Sequence, residues 1–231
     1  MANTAFDADA LIEQFSQASA KQGEALRKAV NAATLKALEG RELTLKNIKD
    51  ALKQVSTAAS TGAAANTAPA VDVEALLGKA LAGMDAAVLQ AVEANRRALA
   101  QLVEQGASLT AGPMKKALGD IEKMEDLLFG AIDKTAQSVP APLQALWTQV
   151  LDNAKAVGTA TGAKADISVA QLTAQARDAL RDGRAAGLKA TQALMDSYGA
   201  LVSGVLIGMS EGMQGTPTDK PAGGAASKKR G

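Results

Sequence analysis

The sequence predicts an all-α fold, with long amphipathic helices in an extended bundle or in helical hairpins. Three observations lead there. Alanine, the strongest helix former, supplies 52 of the 231 residues. Apolar residues recur at spacings of three and four along most of the chain. No run alternates apolar and polar residues between turn signals, so no strand is expected. The aromatics are few (Phe6, Phe15, Phe129, Trp147 and Tyr198). Because alanine buries little area, the helices should pack closely around a thin core or await a surface.

Residues 7–39 read as one helix, with Asp7 or Asp9 as its N-cap and Gly40 as its stop. Leu11, Phe15, Ala18, Gln22, Ala25, Ala29 and Ala33 form its stripe. A second helix is expected over about 44–60, with Leu45, Ile48, Leu52 and Val55 on one face and Lys46, Lys49, Asp50 and Lys53 on the other. Together they make an expected N-terminal helical pair over 1–60. Residues 61–70 lack apolar periodicity and read as a linker.

A long-helix region is expected over 71–214, with breaks near 112–113, 139–142 and 158–165. Asp72 caps a first helix running to about Gln105, and at ~1.5 Å per residue it spans about 50 Å. Gly112 and Pro113 interrupt it. Leu118, Ile121, Met124, Leu128 and Ile132 then carry a helix to about 137. Pro142 suits the first turn of the next, which holds Leu143, Leu146, Trp147, Val150 and Leu151. Residues 158–165, rich in Gly, Thr and Ala, read as a joint. A helical pattern resumes over 166–213, with interruptions expected at Gly183 and Gly187. The last stretch, 215–231, reads as a disordered basic tail.

Several function classes are disfavoured by composition. The chain has no Cys and no His, which removes disulfides, thiolate metal sites and the commonest general base. Phosphate-loop, dinucleotide-binding and nucleophile-elbow motifs are absent, and Gly78-Lys79 is followed by Ala80 in place of the hydroxyl a phosphate loop needs. No catalytic activity, cofactor or metal is therefore expected. Glu122, Glu125 and Asp126 read as a solvated face around Lys123. Arg177, Arg181 and Arg184 read as another, paired with Asp178 and Asp182. Net charge is +1, so the body is no nucleic-acid platform. Only the tail, with Lys220, Lys228, Lys229 and Arg230, offers weak contact with nucleic acid. The first ten residues lack a basic-then-apolar signal region, so a cytoplasmic location is expected.

The most unusual segment is Ser197–Ser210, uncharged over 14 residues. A membrane span needs about 20, so it reads as a buried or interfacial helix and no transmembrane span is expected. Gly204 and Gly208 form a G-x-x-x-G, with Ala200 one step earlier, a small-residue ridge of the kind that lets helices approach closely.

Alanine-rich, cysteine-free chains of serial amphipathic helices resemble the phasins, bacterial proteins that coat cytoplasmic polyhydroxyalkanoate granules. Residues 91–106, with Asn95 followed by Arg96, Arg97, Ala98 and Leu99, look like the phasin run of Asn-x-x-Ala-Leu. The resemblance implies a protein that coats hydrophobic storage granules without catalysis. An alanine-rich helical bacterial family of similar build is an equal description.

On this reading the partner is a hydrophobic granule or lipid-like surface. Its expected contacts are Leu76, Met84, Val88, Leu99 and Leu102 on the long helix, with Leu201, Gly204, Val205, Gly208 and Met209 near the C-terminus. The alternative is a coiled-coil adaptor or homo-oligomeric scaffold whose stripes meet another helical protein. A third, membrane insertion, requires the Ser197–Ser210 segment to enter lipid.

Overall fold

A computed structural model describes residues 6–18, 22–39, 41–66, 71–109, 112–181 and 198–214. Among these residues the structure is helical throughout and holds no strand, as the periodicity predicts. In chain order the helices are α1 (Ala8–Gln17), α2 (Gly23–Leu38), α3 (Leu45–Ala64), α4 (Val73–Glu104) and α5 (Gly112–Glu122). There follow α6 (Met124–Ala136), α7 (Ala141–Val157), α8 (Ala160–Arg181) and α9 (Tyr198–Gln214).

Helix α4 is the axis of the bundle. Asp72 caps it by accepting from the Ala75 N–H at 3.0 Å. Helices α2, α3, α7, α8 and α9 all pack on it. Length and composition alone would let α4 cross a membrane, yet most of its apolar window is buried inside the protein. Alanine and leucine supply most of the core, which is continuous from Leu11 to Leu206. Two glycines set the close approach that an alanine-lined core needs. A Cβ on Gly83 would come within 2.6 Å of the Arg27 carbonyl oxygen, and one on Gly62 within 2.5 Å of the Ile12 carbonyl oxygen.

Four local expectations are corrected. The single helix over 7–39 is two. Helix α1 ends at Gln17, Ala18 takes an extended conformation, and α1 packs against α3. Asn66 supports that ending, since its Nδ2 donates to the carbonyls of Phe15 (2.8 Å), which also accepts from the Ala18 N–H, and of Ala18 (3.0 Å). Helix α3 continues to Ala64, so 61–64 is not linker, because Gly62 and Ala63 pack in the core beneath α1. The helix expected through 137 divides at Lys123, which lets α5 pack on α8 while α6 packs on α3.

The joint over 158–165 contracts to Gly158 and Thr159. Gly158 has φ +82°, which only glycine adopts cheaply. The next N–H groups are all satisfied. Thr159 donates to Glu125 Oε1 at 3.1 Å, Ala160 and Thr161 donate to the Asp85 carboxylate at 3.1 and 3.0 Å, and Gly162 donates to Thr159 Oγ1 at 3.0 Å. Carboxylates from α4 and α6 therefore close the start of α8. The Glu125 carboxylate also lies where a Cβ on residue 162 would sit, which explains Gly162.

The expected N-terminal unit over 1–60 has no core of its own, since α1, α2 and α3 share theirs with α4, α6 and α7. Ser56 and Thr135 hydroxyls pair at 2.7 Å across α3 and α6. The interruptions at Gly183 and Gly187 and the tail 215–231 lie outside the described residues.

Candidate functional site

The ten expected contact residues separate into two groups. Leu76, Met84, Val88, Leu99 and Leu102 are buried against neighbouring helices of the same chain. In the closed bundle they are core, not surface. The α9 residues behave differently.

Helix α9 is uncharged from Tyr198 to Met209, and only one of its faces is buried. Val202 and Leu206 enter the core against α4. Two polar side chains fasten it: Tyr198 Oη donates to Asn95 Oδ1 at 2.7 Å, and Ser203 Oγ donates to the Arg41 carbonyl at 3.2 Å. Asn95 is itself held, its Nδ2 donating to the Ala91 carbonyl at 2.7 Å. Burial pushes the Tyr198 phenol well above its ordinary range, and the negative charge of Asp120 pushes the same way.

The outward face is smooth and apolar. Ala200, Gly204 and Gly208 are exposed, and a Cβ built on either glycine meets nothing within 4 Å. Leu201, Val205, Ile207 and Met209 are half-buried beside them. Several clefts border helix α9, and two of them reach its apolar C-terminal half. One, of about 670 Å³, lies toward α1 and α2 among Phe6, Leu11, Ala33, Leu35 and Ile207, with Lys36 and Glu39 also lining it. The other, of about 610 Å³, lies toward α4. It gathers Val205, Gly208 and Met209, three of the expected contacts, opposite Arg96 and Arg97.

Those arginines belong to a cluster the sequence reading missed. Glu93, whose side chain is 13% exposed, accepts from Arg96 through two nitrogens at 2.7 and 3.0 Å. It also accepts from Arg97 Nε at 2.9 Å and from Lys164 Nζ, on α8, at 3.1 Å. The Arg96 guanidinium, helped by Arg97 and Lys164 and opposed by partial burial, holds the Glu93 carboxyl down at about 2. Spacings of three and four within Glu93-x-x-Arg96-Arg97 make the helix pairs legible in sequence. Nothing local announces Lys164. Glu125, expected on a solvated face, instead turns to cap α8, while Glu122 and Asp126 remain exposed.

The chain belongs to a family of unknown function, DUF6781, whose model matches residues 1–215. No curated protein and no solved structure matches it.

Proposed function

We propose that this member of the DUF6781 family is a non-enzymatic binding protein that meets a hydrophobic surface through amphipathic helices, coating cytoplasmic storage granules in the manner of the phasins. The observation that carries the reading is α9, uncharged around its whole circumference from Tyr198 to Met209 yet buried on one side only. Removing apolar area from water yields about 25 cal/mol per Å², so such a face adheres to an apolar surface without a pocket. The α4 stripe of Leu76, Met84, Val88, Leu99 and Leu102 would join only if the bundle opened, since those side chains are core in the closed form.

A second reading, a helical adaptor or homo-oligomeric scaffold, is favoured by one specific feature. The exposed ridge of Ala200, Gly204 and Gly208 would let another helix approach closely. Gly204→Leu separates the two. It adds apolar area to an open face, so granule binding should persist or strengthen, whereas a close helix pair should come apart. Gly204→Asp places a charge on the face without a clash and should abolish granule binding while the fold persists. The decisive measurement is the distribution of the tagged full-length protein in a polymer-accumulating bacterium, together with binding of the purified protein to isolated granules. Diffuse signal with granules present would overturn the granule reading.

A further inference from the structure

We propose that the cleft between α4 and α9 is a binding site for a single-chain amphiphile with a carboxylate head, the head on Arg96 and Arg97 and the apolar chain along α9. Its volume, about 610 Å³, lies within the ~300–1,000 Å³ of small-molecule sites. The site has two chemically distinct ends.

At the head end, cations exceed anions. Three positive side chains, Arg96, Arg97 and Lys164, converge on the single carboxylate of Glu93. Arg97 spends only its Nε there, so both of its η-nitrogens are without a partner among the described residues. Arg96 spends Nε and Nη2 and keeps Nη1. A guanidinium fork with donors to spare matches a carboxylate geometrically, and the surplus positive charge favours an anion over a neutral head. Glu104, the acid that lines the cleft, accepts from Gln175 Nε2 at 3.1 Å and keeps its charge, so the positive surplus is that of Arg96, Arg97 and Lys164 over Glu93 and Glu104.

At the chain end, Ala100, Val205 and Met209 form an apolar wall, and Gly208 leaves it open. A cleft that sets an apolar α9 wall beside arginine donors on α4, with Gln101 between Ala100 and Glu104, favours an amphiphile, because a purely polar ligand would leave the α9 wall wet and a purely apolar one would leave the arginine donors unused. The site does not rest on the granule reading, although Val205, Gly208 and Met209 belong both to this cleft and to the apolar face that a surface binder would use.

The test titrates the purified full-length protein, by calorimetry and below micelle formation, with dodecanoate, dodecanol and dodecyltrimethylammonium, which share one chain and differ in head. Dodecanoate should bind saturably, and dodecanol about tenfold more weakly, as expected for loss of a charge-assisted hydrogen bond. The cation should bind more weakly still. Arg97→Gln, at a side chain 50% exposed and so tolerant of change, should bring dodecanoate down to the level of dodecanol. Gly208→Leu, whose Cβ meets nothing within 4 Å and whose side chain adds bulk beside Val205 and Met209, should weaken every ligand about tenfold with its circular dichroism unchanged. The same variant should still bind isolated granules, which separates failure of this site from failure of the surface reading. Equal affinity for all three heads, no saturation, or a Gly208→Leu protein that binds like wild type would overturn the proposal. Tighter binding of dodecyl phosphate than of dodecanoate would overturn the carboxylate assignment.

Discussion

The indole nitrogen of Trp147, in α7, donates to Ser60 Oγ, in α3, at 2.9 Å, and both side chains are fully enclosed. Ser60 in turn donates to the Ser56 carbonyl at 2.7 Å, so the single tryptophan of the chain is tied to an oriented hydroxyl. Ser60→Ala leaves a buried N–H without its acceptor, and the expected cost is about 1–3 kcal/mol in stability. Denaturant unfolding followed by Trp147 emission measures it. A variant as stable as wild type would show that the bond does not tie α7 to α3.

Two glycines of α4 should respond to alanine with opposite signs. At Gly83 a Cβ would press on the Arg27 carbonyl at 2.6 Å and the Val30 Cβ at 2.7 Å. Backbone must move, so Gly83→Ala should cost about 1–3 kcal/mol. At Gly78 nothing lies within 4 Å, and Gly78→Ala should stabilise by about 0.5–1 kcal/mol through helix propensity alone. Paired thermal melts check the contrast.

The sole tyrosine offers a direct view of α9 docking. Its phenol is raised above the ordinary value of 10.0 by burial and by Asp120. A group held protonated in the folded state adds stability that is complete below its unfolded value and is lost as pH rises through the folded one. The ultraviolet titration of Tyr198 should therefore run well above the ordinary midpoint, and α9 should loosen in strong alkali. Asn95→Ala, which removes the acceptor of the Tyr198 hydroxyl, should make that loosening easier. An ordinary midpoint in the native protein would contradict the packing of α9 on α4.

Glu93 works in the opposite direction. Its carboxyl is held at about 2 against an ordinary 4.5, so its contribution is present above 4.5 and is lost as pH falls from there through about 2. Glu93→Gln should cost about 2 kcal/mol at neutral pH, the scale of a hydrogen bond to a charged group, and should flatten the acid limb of a stability-against-pH curve. An acid limb with the wild-type slope would remove Glu93 from the account.

Much of this architecture could be read before any coordinates. The capping Asp72, the long run to Glu104 and the turn at Pro140 follow from local signals. What escaped was tertiary. The break after Ala18 is supported by Asn66, 48 residues further on, which supplies donors to carbonyls that a continuous helix would have used. The α4 stripe looked like a contact surface because alanine-rich helices offer few bulky partners. Gly62 and Gly83 remove that objection by bringing backbones close enough for small side chains to fill the interior. The uncharged character of α9 was plain in the sequence, whereas the Glu93-x-x-Arg96-Arg97 pairings were passed over although their spacings of three and four offer them. Their meeting across one cleft was not legible there, because the two segments are about a hundred residues apart and come together only in the fold.

The closure of the α8 start by Asp85 and Glu125 makes that end of the helix depend on distant parts of the chain. Of the four N–H groups there, three, those of Thr159, Ala160 and Thr161, are answered by residues 34 to 76 positions away, and only Gly162 finds its acceptor nearby, on Thr159. A free peptide covering Ala160–Arg181 would lack those distant acceptors, and its first turn, the costly step of any helix, would go unaided. The start of α8 is thus supported by a platform built by α4 and α6, and a peptide covering Ala160–Arg181 alone should show less helix at its leading end than the intact protein does.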